Sequence, residues 1–205
     1  MLLKVYPENP APRHIEMIVD CLKNDGVIIY PTDTVYGIGC DINSTKAINR
    51  VCQILGKRPD KSNFSFICKD LNDVSNYAAQ IDNTTFKAMK RALPGPYTFI
   101  LHAKSIVPKL FKSNKKTVGV RIPDNNICYE IVKALGNPIM TNSIYDENEI
   151  VEYTTDPSLI HDKFEKLVDI VIDGGFGNNV PSTIIDCTGA VPEIIREGAG
   201  SPEIF

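Results

Sequence analysis

From Ile15 to Leu135 short apolar runs alternate with segments whose apolar residues recur at helical spacing, and this rhythm limits the available folds more than any other feature. Ile15, Ile18, Val19 and Leu22 mark a first helix, closed by the glycine of "NDGV". Val27 to Tyr30 reads as a strand stopped at Pro31. Ser44 is placed to cap a helix through Ala47, Ile48, Val51 and Ile54, which Gly56 and Pro59 end. "FSFICKD", "YTFILHA", "TVGVRIP" and "PIMTNSI" follow as strands, separated by helices over "LNDVSNYA", "NTTFKAMKRAL" and "NICYEIVKALG". "YDENEIVEY" reads as an acidic loop, and "VDIVIDGG", "STIIDCT" and "EIIREG" as closing short strands. This order predicts an α/β (α+β) fold, one mixed sheet covered by helices. No repeat or linker divides the chain, so residues 1–205 are expected to form a single domain.

Composition narrows the setting. No apolar run approaches the ~18 residues of a membrane span, and the segment from Met1 to Asn9 lacks the regions of a signal peptide, so a cytoplasmic location and no membrane partner are expected. Six cysteines lie far apart among Val, Ile and Leu, the pattern of buried thiols rather than of disulfides or zinc ligands. The net charge of −3 hides a segregation: Lys46 to Arg121 holds fifteen Lys and Arg against four acids, and the rest holds seven against twenty-one. Such charges either intermix on folding or form a basic face for a phosphate-bearing partner; segregation on this scale favours the second.

The chemistry-bearing residues gather where strands finish. In "IIYPTDTVYGIGCDI" Pro31 ends the strand, so Thr32, Asp33 and Thr34 emerge at a sheet end, and Gly37 and Gly39 permit close approach of backbone or ligand. The same residues also suit a capped turn, and for Asp33 both roles stay open. The glycines are no dinucleotide fingerprint, and no P-loop occurs. "GKRPDKSNFSF" places Lys57, Arg58 and Lys61 after a helix, a cluster able to neutralise a triphosphate or simply to face solvent. "TVGVRIP" puts Thr117 and Arg121 on one strand face, and "STIIDC" with "IIREG" repeats the device with Ser182 and Arg196. His14, His102 and His161 lie outside these motifs, so no histidine-based acid–base machine is suggested, and no metal site.

"YPTDTVYGIGCD", "PGPYTFIL", "TVGVRIPDN", "GNPIMTNS", "VDIVIDGG", "STIIDCT" and "IIREG" occur in the order seen in the YrdC/YciO family, and the chain resembles its YciO branch through "NFSFICKDLNDVSNYA". The resemblance implies a YrdC-like twisted mixed sheet around a large basic concave cleft. It also implies synthesis of threonylcarbamoyl-AMP from L-threonine, bicarbonate and ATP with release of pyrophosphate, a step in tRNA threonylcarbamoyladenosine modification. Mg²⁺ held mainly by phosphates, and binding of tRNA or double-stranded RNA, belong to the same expectation. Position by position, Thr32 and Thr34 would contact threonine, Arg121 would clamp its carboxylate, and Thr141, Ser143 and Ser182 would complete the substrate site. Arg58, Thr117, Ser143 and Arg196 would lie at the nucleotide, with Lys57 and Lys61 beside Arg58 as catalytic cations. Two positions depart from the family pattern: Gly56 stands for the first lysine of Lys-x-Arg, and Tyr145 for the asparagine of Ser-x-Asn. The alternative implied is a YciO-type paralogue that binds RNA or nucleotide with little adenylate synthesis.

Overall fold

A computed structural model describes residues 1–57, 64–107, 116–144 and 152–204. Its strands are β1 (Leu2–Lys4), β2 (Ile28–Tyr30), β3 (Gly37–Asp41), β4 (Ser65–Ile67), β5 (Tyr97–His102), β6 (Thr117–Arg121), β7 (Ile139–Ser143), β8 (Ile170–Asp173), β9 (Thr183–Asp186) and β10 (Glu193–Arg196). They form one sheet in the order β1-β8-β2-β3-β7-β4-β6-β5-β9-β10. The pairs β1–β8, β2–β8, β4–β6 and β5–β9 are parallel and the others antiparallel, so the sheet is mixed, as the element order predicts.

The helices among the described residues are α1 (Pro12–Lys23), α2 (Thr45–Ile54), α3 (Leu71–Tyr77), α4 (Asn83–Ala92), α5 (Asn126–Leu135), α6 (Glu152–Thr155) and α7 (Pro157–Phe164). Their ends follow capping chemistry. Ser44 accepts from the Ala47 N–H at 3.0 Å, Asp82 from Thr84 and Thr85, and Asn125 from Cys128, while Gly136 takes the left-handed conformation after α5. Gly56 closes α2 with φ +61° in the two-bond pattern that suits glycine, its N–H donating to Gln53 O and that of Lys57 to Cys52 O.

One sheet face is covered from β8 across to β9. Ile38, Cys40, Phe66, Phe99, Val120, Met140 and Ile185 pack there against Ala47, Ile48 and Val51 of α2, Val74 of α3, Met89 of α4 and Ile160 of α7. The opposite face is covered over one half only. There Ile28, Tyr30, Ile67, Ile139, Ile170 and Ile172 meet Ile15, Ile18, Val19 and Leu22 of α1 and Ile127, Ile131 and Leu135 of α5. Each such aliphatic side chain contributes roughly 1.5–3 kcal/mol by leaving water.

The structure adds to the sequence reading and corrects it. "GIGCD" forms a strand, β3, which that reading left unassigned; Gly39 serves the close backbone approach expected of it, since a Cβ there would stand 2.5 Å from the Met140 carbonyl. β1 and α7 have no counterpart in the periodicity reading, β1 being three residues long and α7 holding only Pro157 and Ile160 buried. The end of the acidic stretch is helical, as α6. Charge segregation is partly undone, since Lys46 pairs with Asp25, Arg50 with Asp169 and Arg121 with Asp33.

Candidate functional site

The uncovered half of the second face carries mostly small and hydroxyl-bearing residues where the covered half carries Ile, with Ile184 as an exception. Register fixes the arrangement. Thr141 on β7 stands opposite Gly39 and Ser65, Ser65 opposite Gly119, and Gly37 opposite Ser143. In the neighbouring row Ile67 pairs with Arg121, and Thr98 and Arg196 both stand beside Ile184. Arg121 and Arg196 thus flank the floor of a single pocket, which Ser65, Thr98, Thr141, Ser143 and Ser182 also line. Three strand spacings separate the two arginines along that row, about 14 Å between backbones.

Arg121 sits at the seam where the helical cover stops. It is 6% exposed, and its Nη2 donates to Asp33 Oδ1 at 2.8 Å and to Thr34 Oγ1 at 3.0 Å. Its Nε is buried and has no partner among the described residues. A buried guanidinium N–H left without an acceptor costs free energy, so this atom invites a ligand oxygen. Thr32 spends its proton on the Val35 carbonyl at 2.8 Å and accepts from the Thr34 N–H at 3.0 Å. The 3.1 Å contact between the two hydroxyls therefore takes its proton from Thr34. The result is a one-way chain, Arg121 to Thr34 to Thr32 to Val35.

Asp33 is neither a free ligand nor a simple turn cap. Its Oδ2 accepts from the Asp124 N–H at 3.2 Å, completing a buried ion pair with Arg121. Burial pushes its carboxyl above the ordinary carboxylate range, and Arg121 and the Asp124 N–H pull the other way without cancelling the shift.

At the far wall, Arg196 Nε and Nη2 both donate to the Ser182 carbonyl, at 3.2 and 2.8 Å, while the Ser182 and Thr98 hydroxyls lie 2.8 Å apart. Under the floor Tyr30 OH donates to Thr141 Oγ1 at 2.5 Å. Lys57 Nζ reaches Asn142 Oδ1 at 3.2 Å, beside the pocket. Arg121, Thr141, Ser143, Ser182 and Arg196 are thus brought together; Thr32 and Thr34 stand behind Arg121 rather than on the lining. Thr117 lies four residues along β6 from Arg121, about 13 Å away, and does not line this pocket. Arg58, Lys61 and Tyr145 lie outside the described residues. Among the described residues no three His, Cys, Asp or Glu side chains gather as metal ligands, and no helix is long and apolar enough to cross a membrane.

Sequence reasoning missed Ser65, Thr98, Asn142 and the backing residue Asn178. The first two carry a legible signal, a hydroxyl between aromatics in Phe64-Ser65-Phe66 and Tyr97-Thr98-Phe99, where strand alternation turns the polar residue to the open face. Asn178 carries none. Its Nδ2 donates to the Asp33 carbonyl and its N–H to that of Thr34, a link across 145 residues for the first of these.

Comparison with known proteins agrees with this fold. The model of the Sua5, YciO and YrdC proteins, described as "Telomere recombination", matches residues 20–198. An uncharacterized protein of Haemophilus influenzae is 42% identical over 204 residues, 98% of this chain and 97% of that protein. YciO of Escherichia coli K12 is 40% identical over 203 residues, again 98% and 97%, and its crystal structure superposes with a TM-score of 0.92 over 100% of this chain and 98% of YciO. P. abyssi Sua5, solved in complex with L-threonine, is 25% identical with a TM-score of 0.87, covering 97% of this chain and 57% of Sua5. The chain belongs to the Sua5/YciO/YrdC family.

Proposed function

We propose that the protein is an L-threonylcarbamoyladenylate synthase-like enzyme acting in tRNA threonylcarbamoyladenosine modification. Threonine's amine takes up carbon dioxide derived from bicarbonate to give a carbamate. A carbamate oxygen then attacks the α-phosphorus of ATP, the bond to the β-phosphate oxygen breaks, and pyrophosphate leaves. The observation that carries this reading is Arg121 on the lining of a pocket of hydroxyls, its buried Nε without a partner among the described residues, a seat for an amino-acid carboxylate. The likeness to threonine-bound Sua5 supports it. Arg196 and Lys57 face the anionic triphosphate, with Arg58 and Lys61 as further cations, and Ser143 and Ser182 donate to substrate oxygens. Thr32 and Thr34 act through Arg121, which they brace. The step needs alignment and charge neutralisation more than a strong base. Mg²⁺ arriving with ATP would be held by phosphate oxygens and water, and would neutralise charge on the pyrophosphate leaving group.

The test is incubation with ATP, Mg²⁺, bicarbonate and labelled threonine. Threonine-dependent pyrophosphate and a labelled adenylate are expected; their absence at high enzyme concentration overturns the reading. A second reading, a paralogue binding nucleotide, tRNA or double-stranded RNA with little synthesis, is favoured by Gly56. Its left-handed conformation ends α2 where the family pattern places a lysine. That reading expects tight, salt-sensitive RNA binding without pyrophosphate release.

A further inference from the structure

We infer that Asp33 is a positioning residue that sets both the aim and the effective charge of Arg121, so that the Arg121 end of the pocket takes an amino-acid carboxylate and turns away simple inorganic anions. The threonine half of this inference rests on the function proposed above; the anion half does not.

Both side chains are more than nine-tenths buried, at 7% and 9% exposure, so their charges act on each other with little screening. Asp33 holds Nη2 of the guanidinium, which Thr34 also accepts from, and this fixes the orientation in which Arg121 meets the pocket. The carboxylate is itself anchored. Its Oδ2 accepts from the Asp124 N–H, and Asn178 ties down the backbone carbonyls of Asp33 and Thr34. Asp33 does not line the pocket, so it acts through Arg121 rather than on a ligand.

The electrostatic consequence follows. A lone buried arginine would attract any anion, but a guanidinium whose charge is balanced 2.8 Å away offers an approaching dianion little net attraction. A carboxylate that also gains hydroxyl contacts from Ser143 and Ser182 still profits from the oriented guanidinium. Aim and charge are separable by substitution. Asp33→Asn removes the charge, and Asp33→Glu keeps it while shifting the grip by one methylene.

Binding of L-threonine and of inorganic sulfate, a dianion of fixed charge, would be measured by titration calorimetry at pH 7.5 on the wild type and both variants, each verified as folded by circular dichroism. For Asp33→Asn, threonine affinity is expected to fall about tenfold while sulfate affinity rises threefold or more, a change of opposite sign that a loosened fold would not produce. For Asp33→Glu, threonine affinity is expected to fall about fivefold with sulfate affinity unchanged. Parallel losses in Asp33→Asn, or no rise in its sulfate affinity, overturn the charge role. Wild-type threonine affinity in Asp33→Glu overturns the positioning role, and it decides the matter if Asp33→Asn fails to fold. Wild-type protein that ignores threonine sinks the proposed function, while the sulfate comparison still decides the role of Asp33.

Discussion

The two halves of one sheet face have opposite chemistry, and single strands run through both. On β7, Ile139 lies under the α1–α5 layer, whereas Thr141 and Ser143, two and four residues on, line the pocket. β4 makes the same change in reverse between Ser65 and Ile67. Where a helix covers the sheet, an unpaired hydroxyl would cost more than it contributes, so the face is aliphatic. Where no helix lies, hydroxyls and glycines leave room and hydrogen-bonding capacity. The site is therefore the place where the helical layer stops, and Arg121 marks the line.

Substitution can break or sharpen that contrast. The largest effect is expected at the seam itself. Arg121→Ala strands Asp33 in a buried position, so denaturant unfolding should show a loss of about 3–5 kcal/mol, and threonine should no longer protect against heat. Retained protection would remove Arg121 from the site. Next come the two halves of β7. Ile139→Ala should cost about 2–5 kcal/mol through the cavity it leaves, and Ser143→Ala within about 0.5 kcal/mol while weakening threonine protection. Equal costs would erase the distinction between covered and open halves. A smaller effect than at Ile139 tests the end of α2: Gly56→Ala must hold φ +61° with a Cβ and should cost about 1 kcal/mol by chemical denaturation.

Strand and helix identities were legible because period-two and helical spacing are written by burial, and most elements obey them. β3 was not, since Gly-Ile-Gly looks like a loop until the close approach of β7 explains it. The arginines and strand-end hydroxyls were legible as recurring types, but their convergence depends on register across six strands. Asp33 was ambiguous for a local reason: its partners, Arg121 and Asp124, lie 88 and 91 residues away. The excess of cations before Arg121 overstated the basic surface, because Lys46, Arg50 and Arg121 meet acids from elsewhere in the chain.

Arg196 rides on β10, which among the described residues has a neighbouring strand on one side only, with a register shift between Ile194 and Arg196. The pocket consequently spans the sheet from its interior to its margin, and its far wall is the part with least support. Any molecule gripping both guanidiniums would staple that margin to the middle of the sheet, slowing amide exchange along the last strand by as much as its own binding is worth.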